Sequence, residues 1–498
     1  MRGNDVADRE HFRIGYADLP ETFFERVWPT PVAAPRLLQF NHALAAQLGL
    51  DPDVWSAPEA VSVLAGNAPL AGVESIAMAY AGHQFGQWVP SLGDGRALQI
   101  GEVVDREGRS HGLQLKGAGR TPFSRQGDGR AAVGPVLREY VLSEAMWALG
   151  IPTTRALAAV STGEMIDRGG PEQGAILTRV ARGFVRVGTF EYFARRGQAQ
   201  AVRELADFVM AQNSPSNQQT ANGYRCWFEE IIEAQANLIA QWMSVGFIHG
   251  VMNTDNMSVF GETIDYGPCA FMDAYNAQQV FSSIDRQGRY AYQQQPGIGL
   301  WNLTRLAECL LALFDDSEEA SIEWAQGALD AYAEKFHAAY DERFRQKLGL
   351  RVSNQESRRL VSELLALMAQ AKADFTLTFR GLSEDSGWTP VGGAPLAPSL
   401  DEDPRFNAWL SDWRAVLDRE GESEAVRCAE MRKVNPLFIP RNHRVQQVID
   451  DWGEREDLGS LETLLEVTRQ PFEDHPNARD WARTPEPHEV IRETFCGT

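Results

Sequence analysis

The chain has few cysteines: five in 498 residues (Cys226, Cys269, Cys309, Cys428 and Cys496), with no CxxC pair among them. That scatter offers neither a zinc site nor a disulfide framework, and it suits a reducing compartment. No run approaches about 18 uninterrupted apolar residues, which argues against a transmembrane helix. The opening MRGNDVADREHF mixes acids with bases and has no apolar core. It therefore reads as neither a secretory signal nor a transit peptide. Positive charge is scarce as well: 47 Lys and Arg stand against 68 Asp and Glu, a formal charge of −21. A field of that sign excludes nucleic-acid binding through general electrostatics but leaves room for a locally basic pocket. The expected address is the cytoplasm, with no membrane and no nucleic-acid partner. No internal repeat is visible.

What remains is an average globular composition, 44% hydrophobic and 23% charged. The length exceeds one ordinary core, so two domains, or one with large helical additions, are expected. Residues 1–80 read as an N-terminal extension, extended through WPTPVAAP and helical from Arg36 to Leu50. From about residue 81 to 200, short apolar runs punctuated by glycine (SLGDGRALQIGEVV, EGRSHGLQLKGAG, ILTRVA, FVRVGTF) predict an antiparallel β-rich unit. One helix, Pro135 to Leu149, interrupts it and stops at Gly150. Residues 201–330 turn helical, as in FEEIIEAQANLIAQWMSVG, around a loop near Gly250–Tyr275. Helical patterns run from Trp301 to about Gln370, a helical extension covers 331–470, and 471–498 form a polar tail. Residues 380–405, rich in Gly, Pro and Asp, read as a surface loop. The fold class expected is α+β: a β-rich lobe followed by a helical lobe, as in protein kinases.

The chemistry gathers in two places. KGAGRTPFSRQGDGRAAVGPVLR carries five bases (Lys116, Arg120, Arg125, Arg130, Arg138) against one acid, Asp128. In so acidic a chain this is a local reversal, with glycines for close backbone approach and forked donors for phosphate. SLGDGR adds Gly93, Gly95 and Arg96. Lys116 closes a strand-like run and Glu139 lies on the next helix, the order in which a kinase-type site sets a phosphate-holding lysine and its glutamate. The second place is HGVMNTDN followed by IDYGP. His249, Asn256 and Asp265-Tyr266-Gly267 match the kinase catalytic and metal loops, and Asn256 with Asp265 supplies oxygen ligands suited to Mg²⁺. The position of the kinase base is Val251, which cannot accept a proton, and Asp255 is the nearby carboxylate. Arg179 and Arg186 stand on strand-like segments where a kinase has the apolar wall around adenine; facing a cleft, they would require an anion there.

These segments, together with AGHQFGQWVPSLGDGRA, GFIHGVMNTDNMS and NPLFIPRNHRV, resemble selenoprotein O and its bacterial YdiU-like homologues over roughly residues 80–445. The resemblance implies a kinase-like fold that binds ATP in flipped orientation. It implies transfer of AMP to Ser, Thr or Tyr hydroxyls of proteins, redox proteins among them, with release of pyrophosphate. By the same resemblance the nucleotide meets Gly93, Gly95, Arg96, Lys116, Asp128, Gly129, Arg179, Arg186 and Asp265. Glu139 pairs with Lys116, Asn256 and Asp265 hold Mg²⁺, and Asp255 accepts the proton. Some bacterial members are linked to UMP transfer with Mn²⁺, so UTP and Mn²⁺ stay open. A phosphotransferase and a nucleotide-binding pseudokinase scaffold are the rival readings, and the family leans towards a monomer. Eukaryotic relatives carry selenocysteine near the C-terminus, where this chain has Cys496; Cys269 is the partner this sequence offers for a redox pairing, whereas the loop thiol of redox-linked relatives falls near Phe281 and Ser282, where this chain has no cysteine.

Overall fold

The computed structural model describes residues 12–70, 72–384, 400 and 402–495. Among them an eight-stranded antiparallel sheet forms the first half of the molecule. Its path is β1 (Phe24–Arg26), β3 (Ile76–Met78), β6 (Ala97–Val104), β7 (Ser110–Lys116), β10 (Pro171–Ala181), β9 (Arg155–Asp167) and β2 (Arg36–Phe40), with β8 (Ala131–Ala132) paired to β10. Three strands therefore come from residues before 81. The expected helix from Arg36 to Leu50 is corrected by one of them. Arg36–Phe40 pairs with β9, and only His42–Gln47 (α1) is helical, capped by the Asn41 side chain on Leu44 N at 3.1 Å. Edge pairing wins over helical periodicity in RLLQF because Leu38 and Phe40 alternate into the core.

Helices α2 (Pro52–Trp55) and α3 (Pro58–Leu64) follow; the hairpin β4 (Gly82–Gln84)–β5 (Gln87–Val89) stands apart from the main sheet. Helix α4 (Val133–Ala148) crosses β9 and β10. It ends as the sequence predicts: Gly150 takes φ +75°, where a side chain would be strained, and its N–H returns to Trp147 O. From Val136 to Met146 this helix is buried, since both sides are covered. Leu142 and Met146 join the main core, while Leu137, Tyr140 and Val141 join a second one. That second core is completed from the far end of the chain by α14 (Asn442–Arg455) and α15 (Gly459–Arg469), through Val445, Val448, Leu461 and Leu464.

The rest is helical: α5 (Val187–Ala194), α6 (Ala199–Asn213), α7 (Gly223–Ser244), α8 (Gln295–Phe314), α9 (Glu318–Lys347), α10 (Gln355–Ala371), α11 (Phe375–Leu382), α12 (Pro404–Glu420) and α13 (Glu424–Val434). Between α7 and α8, β11 (Phe247–Ile248) pairs with β12 (Ala270–Phe271) and frames the loop that carries Asn256 and Asp265. The stretch Tyr292–Phe314 has the length and apolarity to cross a membrane, yet α8 packs against α5, α7 and α9. Of the expected 380–405 loop, Arg380–Leu382 belong to α11, Pro404 and Arg405 open α12, and 385–399 and 401 lie outside the described residues.

Buried contacts tie the C-terminal region to β12 and its flanks, among them Asn442 Nδ2 donating to Phe271 O at 2.9 Å. Arg441, with no exposed surface, donates to Asp273 at 2.6 Å, to Asp374 at 2.8 and 3.1 Å and to Ala482 O at 2.9 Å. Asp374 also caps α11 through Leu377 N. Farther on, Thr494 bridges to Ser282, and its hydroxyl donates to Pro268 O at 2.6 Å. The expected pairing of Cys269 with Cys496 falls outside the described residues, because Cys496 does; Cys269 itself is buried.

Candidate active site

Strand register brings the first group together. Lys116 lies opposite Leu177, and Gln114 opposite Arg179, on neighbouring antiparallel strands. Period-two alternation then turns Lys116, Gln114 and Arg179 to one face of the sheet. Arg179 donates to Gln114 Oε1 at 3.1 Å on that face. Helix α4 delivers Glu139 to the same point: Oε2 accepts Lys116 Nζ at 2.6 Å, and Oε1 accepts Arg179 Nε at 2.9 Å.

The second group arrives on the loop between β11 and β12. Asp265 sits at φ +65°, a left-handed conformation uncommon for a residue with a side chain. Its Oδ1 meets Arg179 at 2.7 Å and Lys116 at 3.1 Å, and its Oδ2 meets Arg186 at 2.8 Å. Three cations thus converge on one carboxylate. They hold Asp265 well below the usual carboxylate range despite its burial. Arg179 and Arg186 are buried, and a buried guanidinium persists only when paired. Arg186 also donates to Asp255 O at 2.8 Å and stacks over the Tyr80 ring at 4.7 Å. It caps α5 and is not on a strand as FVRVG suggested, because Gly183–Arg186 leave the sheet after β10 ends at Ala181.

His249 is buried and shares a 2.9 Å hydrogen bond with Ile264 O, joining the two halves of the loop; burial lowers its pKa. Asn256 donates to Val251 O at 3.0 Å, so Val251 lies beside the loop turn and lines the cleft. Asp255 is 7% exposed, its Oδ1 has no hydrogen-bond partner, and burial raises its pKa to about 7.

Lys116, Arg179, Arg186, Val251, Asp255, Asn256 and Asp265 line one cleft of about 720 Å³, together with Gly93, Gly95, Arg96, Asp128 and Gly129. Over the mouth, Arg168 pairs with Asp128 at 2.7 Å. Several lining residues had no place in the sequence reading. Asp94, between the two glycines, is buried, accepts from Met78 N at 3.1 Å and from Gln114 at 3.3 Å, and is raised by burial to about 6. Gln84 and Phe85, in the quoted AGHQFG segment, were the available signal for a contact with Asp255.

The donor set suits a hard divalent cation. Asp265 and Asn256 offer oxygens into the cleft, and the orphaned Asp255 Oδ1 lies in the neighbouring residue; one or two carboxylates plus substrate phosphates are what Mg²⁺ ordinarily takes. Among the described residues no cluster of three or more His, Cys, Asp or Glu ligands is present, so a site built wholly from protein is not found there.

A family model described as "Protein adenylyltransferase SelO" matches residues 9–469. Curated relatives named "Protein nucleotidyltransferase YdiU" align along nearly the full length. The protein from Bradyrhizobium sp. (strain ORS 278) is 55% identical over 488 residues, covering 98% of this chain and 99% of its own. That from Rhodopseudomonas palustris (strain HaA2) is 53% identical over 487 residues, with the same coverage.

Proposed function

The chain belongs to the SelO family of protein nucleotidyltransferases, and from that premise we propose that it moves AMP from ATP to Ser, Thr or Tyr hydroxyls of proteins. The observation that carries this reading is the cationic floor of the cleft. Arg179, 1% exposed, stands on β10 where a kinase would keep an apolar wall for adenine, and with Arg186 and Lys116 it favours phosphate at that depth. Phosphates held there leave the α-phosphorus towards Asp255. In the same reading the sheet with α4 is the first lobe of a kinase-like fold and the α7–α9 body the second, as the Lys116–Glu139 pair supports.

The reaction is a displacement at the α-phosphorus. The acceptor oxygen bonds to phosphorus, the α–β bridging bond breaks, and pyrophosphate leaves. Asp255, kept partly protonatable by burial, takes the hydroxyl proton. Arg179, Arg186 and Lys116 exchange Asp265 for phosphate oxygens and neutralise the charge growing on the leaving group. Gly93, Gly95, Arg96, Asp128 and Gly129 close around the remainder of the nucleotide. Asn256 and Asp265 would hold Mg²⁺, or Mn²⁺, which supplies Lewis-acid charge on the phosphate oxygens when bound.

Labelled nucleotide tests the reading. Incorporation from α-labelled ATP with none from γ-labelled ATP is expected, and γ-label transfer would make the protein a kinase. Competition between ATP and UTP decides which nucleotide is used. Asp255→Ala and Lys116→Ala are each expected to abolish labelling.

A further inference from the structure

We propose that the β4–β5 hairpin, with Gly82, His83 and Gln84 as its working residues, is the positioning element that sets Asp255 against the reacting hydroxyl. The proposal rests on the reading of Asp255 as proton acceptor and adds the parts that hold it in place.

The contacts are dense and come from distant segments. Gly82 lies directly on the carboxylate: a Cβ at this position would stand 2.5 Å from Asp255 Oδ1 and 3.0 Å from Asp255 Cβ. Gly188, in the first turn of α5, closes the other side, where a Cβ would meet Ala81 O at 2.1 Å and Asp255 Cα at 3.3 Å. Hairpin, helix start and catalytic loop thus approach at a distance that only glycine allows.

Hydrogen bonds fix the direction of approach. His83 N donates to Thr254 Oγ1 at 2.7 Å, and the Thr254 hydroxyl donates to Glu191 Oε2 at 2.5 Å. Glu191 Oε1 meets His83 Nδ1 at 2.6 Å, so His83, Glu191 and Thr254 close a buried ring around the residue preceding Asp255. At the tip, Phe85 N donates to Asn253 Oδ1 at 3.0 Å, which also accepts Tyr290 Oη at 2.6 Å. Residues 253 and 254 are therefore pinned from one hairpin. Gln84 Nε2 reaches Asp255 Oδ2 at 3.5 Å and is the one side chain of the hairpin on the carboxylate itself. Such networks rigidify a reacting group, because each polar member is satisfied in a single arrangement.

A misplacement of about 1 Å in a reacting group can cost up to ~100-fold in rate. Gly82→Ala is accordingly expected to lower kcat for nucleotidyl transfer by about tenfold or more while nucleotide Kd stays within about twofold. Thr254→Val, which keeps shape and removes the hydroxyl, is expected to act in the same direction, and Thr254→Ser to restore most of the rate. The measurements are incorporation of α-labelled ATP at saturating nucleotide and nucleotide binding by calorimetry. A Gly82→Ala protein at wild-type kcat overturns the proposal. So does a loss of nucleotide affinity as large as the loss in rate, or equal deficits in Thr254→Val and Thr254→Ser. If Gly82→Ala does not fold, the Thr254 pair and the partly exposed Gln84→Ala carry the same decision. Asp255→Ala, run in parallel, separates the two readings. Full activity there removes the acceptor role and the hairpin proposal with it. An inactive Asp255→Ala beside an unimpaired Gly82→Ala removes the hairpin proposal alone.

Discussion

Replacing Asp265 by asparagine takes one negative charge from the point where Lys116, Arg179 and Arg186 converge, and two measurable quantities should then move in opposite directions. The carboxylate accepts charged donors at 2.7, 2.8 and 3.1 Å. Leaving buried charge uncompensated costs about 3–5 kcal/mol. The Asp265 side chain keeps 19% exposure and Glu139 remains to share the cations, so the lower end applies, about 3 kcal/mol off the unfolding free energy of the ligand-free protein. For metal-free pyrophosphate the sign reverses. In the parent protein the anion must displace the Asp265 carboxylate from these cations, whereas in Asp265→Asn that carboxylate no longer competes. A hydrogen bond to a charged group is worth about 1.5–3 kcal/mol. Sparing one such displacement, about 2 kcal/mol, tightens binding roughly thirtyfold. Urea unfolding reads the first quantity; calorimetric titration of pyrophosphate in EDTA reads the second. Divalent-dependent nucleotidyl transfer by the same variant is expected to vanish. Pyrophosphate binding no tighter than in the parent protein would refute the reasoning, because Asp265 would then not be the counter-ion that the anion replaces.

Two further outcomes follow from burial. Asp255, raised to about 7 in the ligand-free protein, cannot accept a proton while it carries one, so kcat/KM should climb with pH through about 7; a flat kcat/KM profile from pH 5 to 8, measured by label incorporation, excludes it as the base. Lys347 is buried over the Phe379 ring at 4.4 Å, and burial lowers it from 10.5 to about 7. The unfolded chain binds the extra proton between those values, so stability rises with pH from about 7 to 10.5 by roughly 5 kcal/mol, at 1.36 kcal/mol per unit. Lys347→Met should erase that slope and stabilise the protein most at pH 7.5, as denaturant midpoints at pH 7.5 and 10 will read.

Much of the site was legible because its parts obey local rules. A strand ending at Lys116, a helix carrying Glu139 and the His249–Asp265 loop are each contiguous stretches of sequence. Arg179 was also readable, since ILTRVA alternates as a strand does. Arg186 was misplaced because strand texture in FVRVG continues past the last ladder bond, and only tertiary contact with Ser258 reveals the turn into α5. RLLQF failed the other way, edge pairing overriding helical spacing. The His83–Glu191–Thr254 ring left no trace, for its bonds span 108 and 63 residues and no sequence period connects them. The same holds for Asp94, whose partner Gln114 stands two strands away in the path from β3.

Arg441 carries a consequence for how the protein is made. Its guanidinium follows Asp273 by 168 residues. At about 5–20 residues per second, the ribosome adds that residue roughly 8–34 s after Asp273 emerges from the same clock. Until then Asp273 and Asp374 lack the cation that lets them be buried together. A chain that ends before Arg441 therefore carries every cleft-lining residue named above and still lacks the cation that Asp273 and Asp374 share.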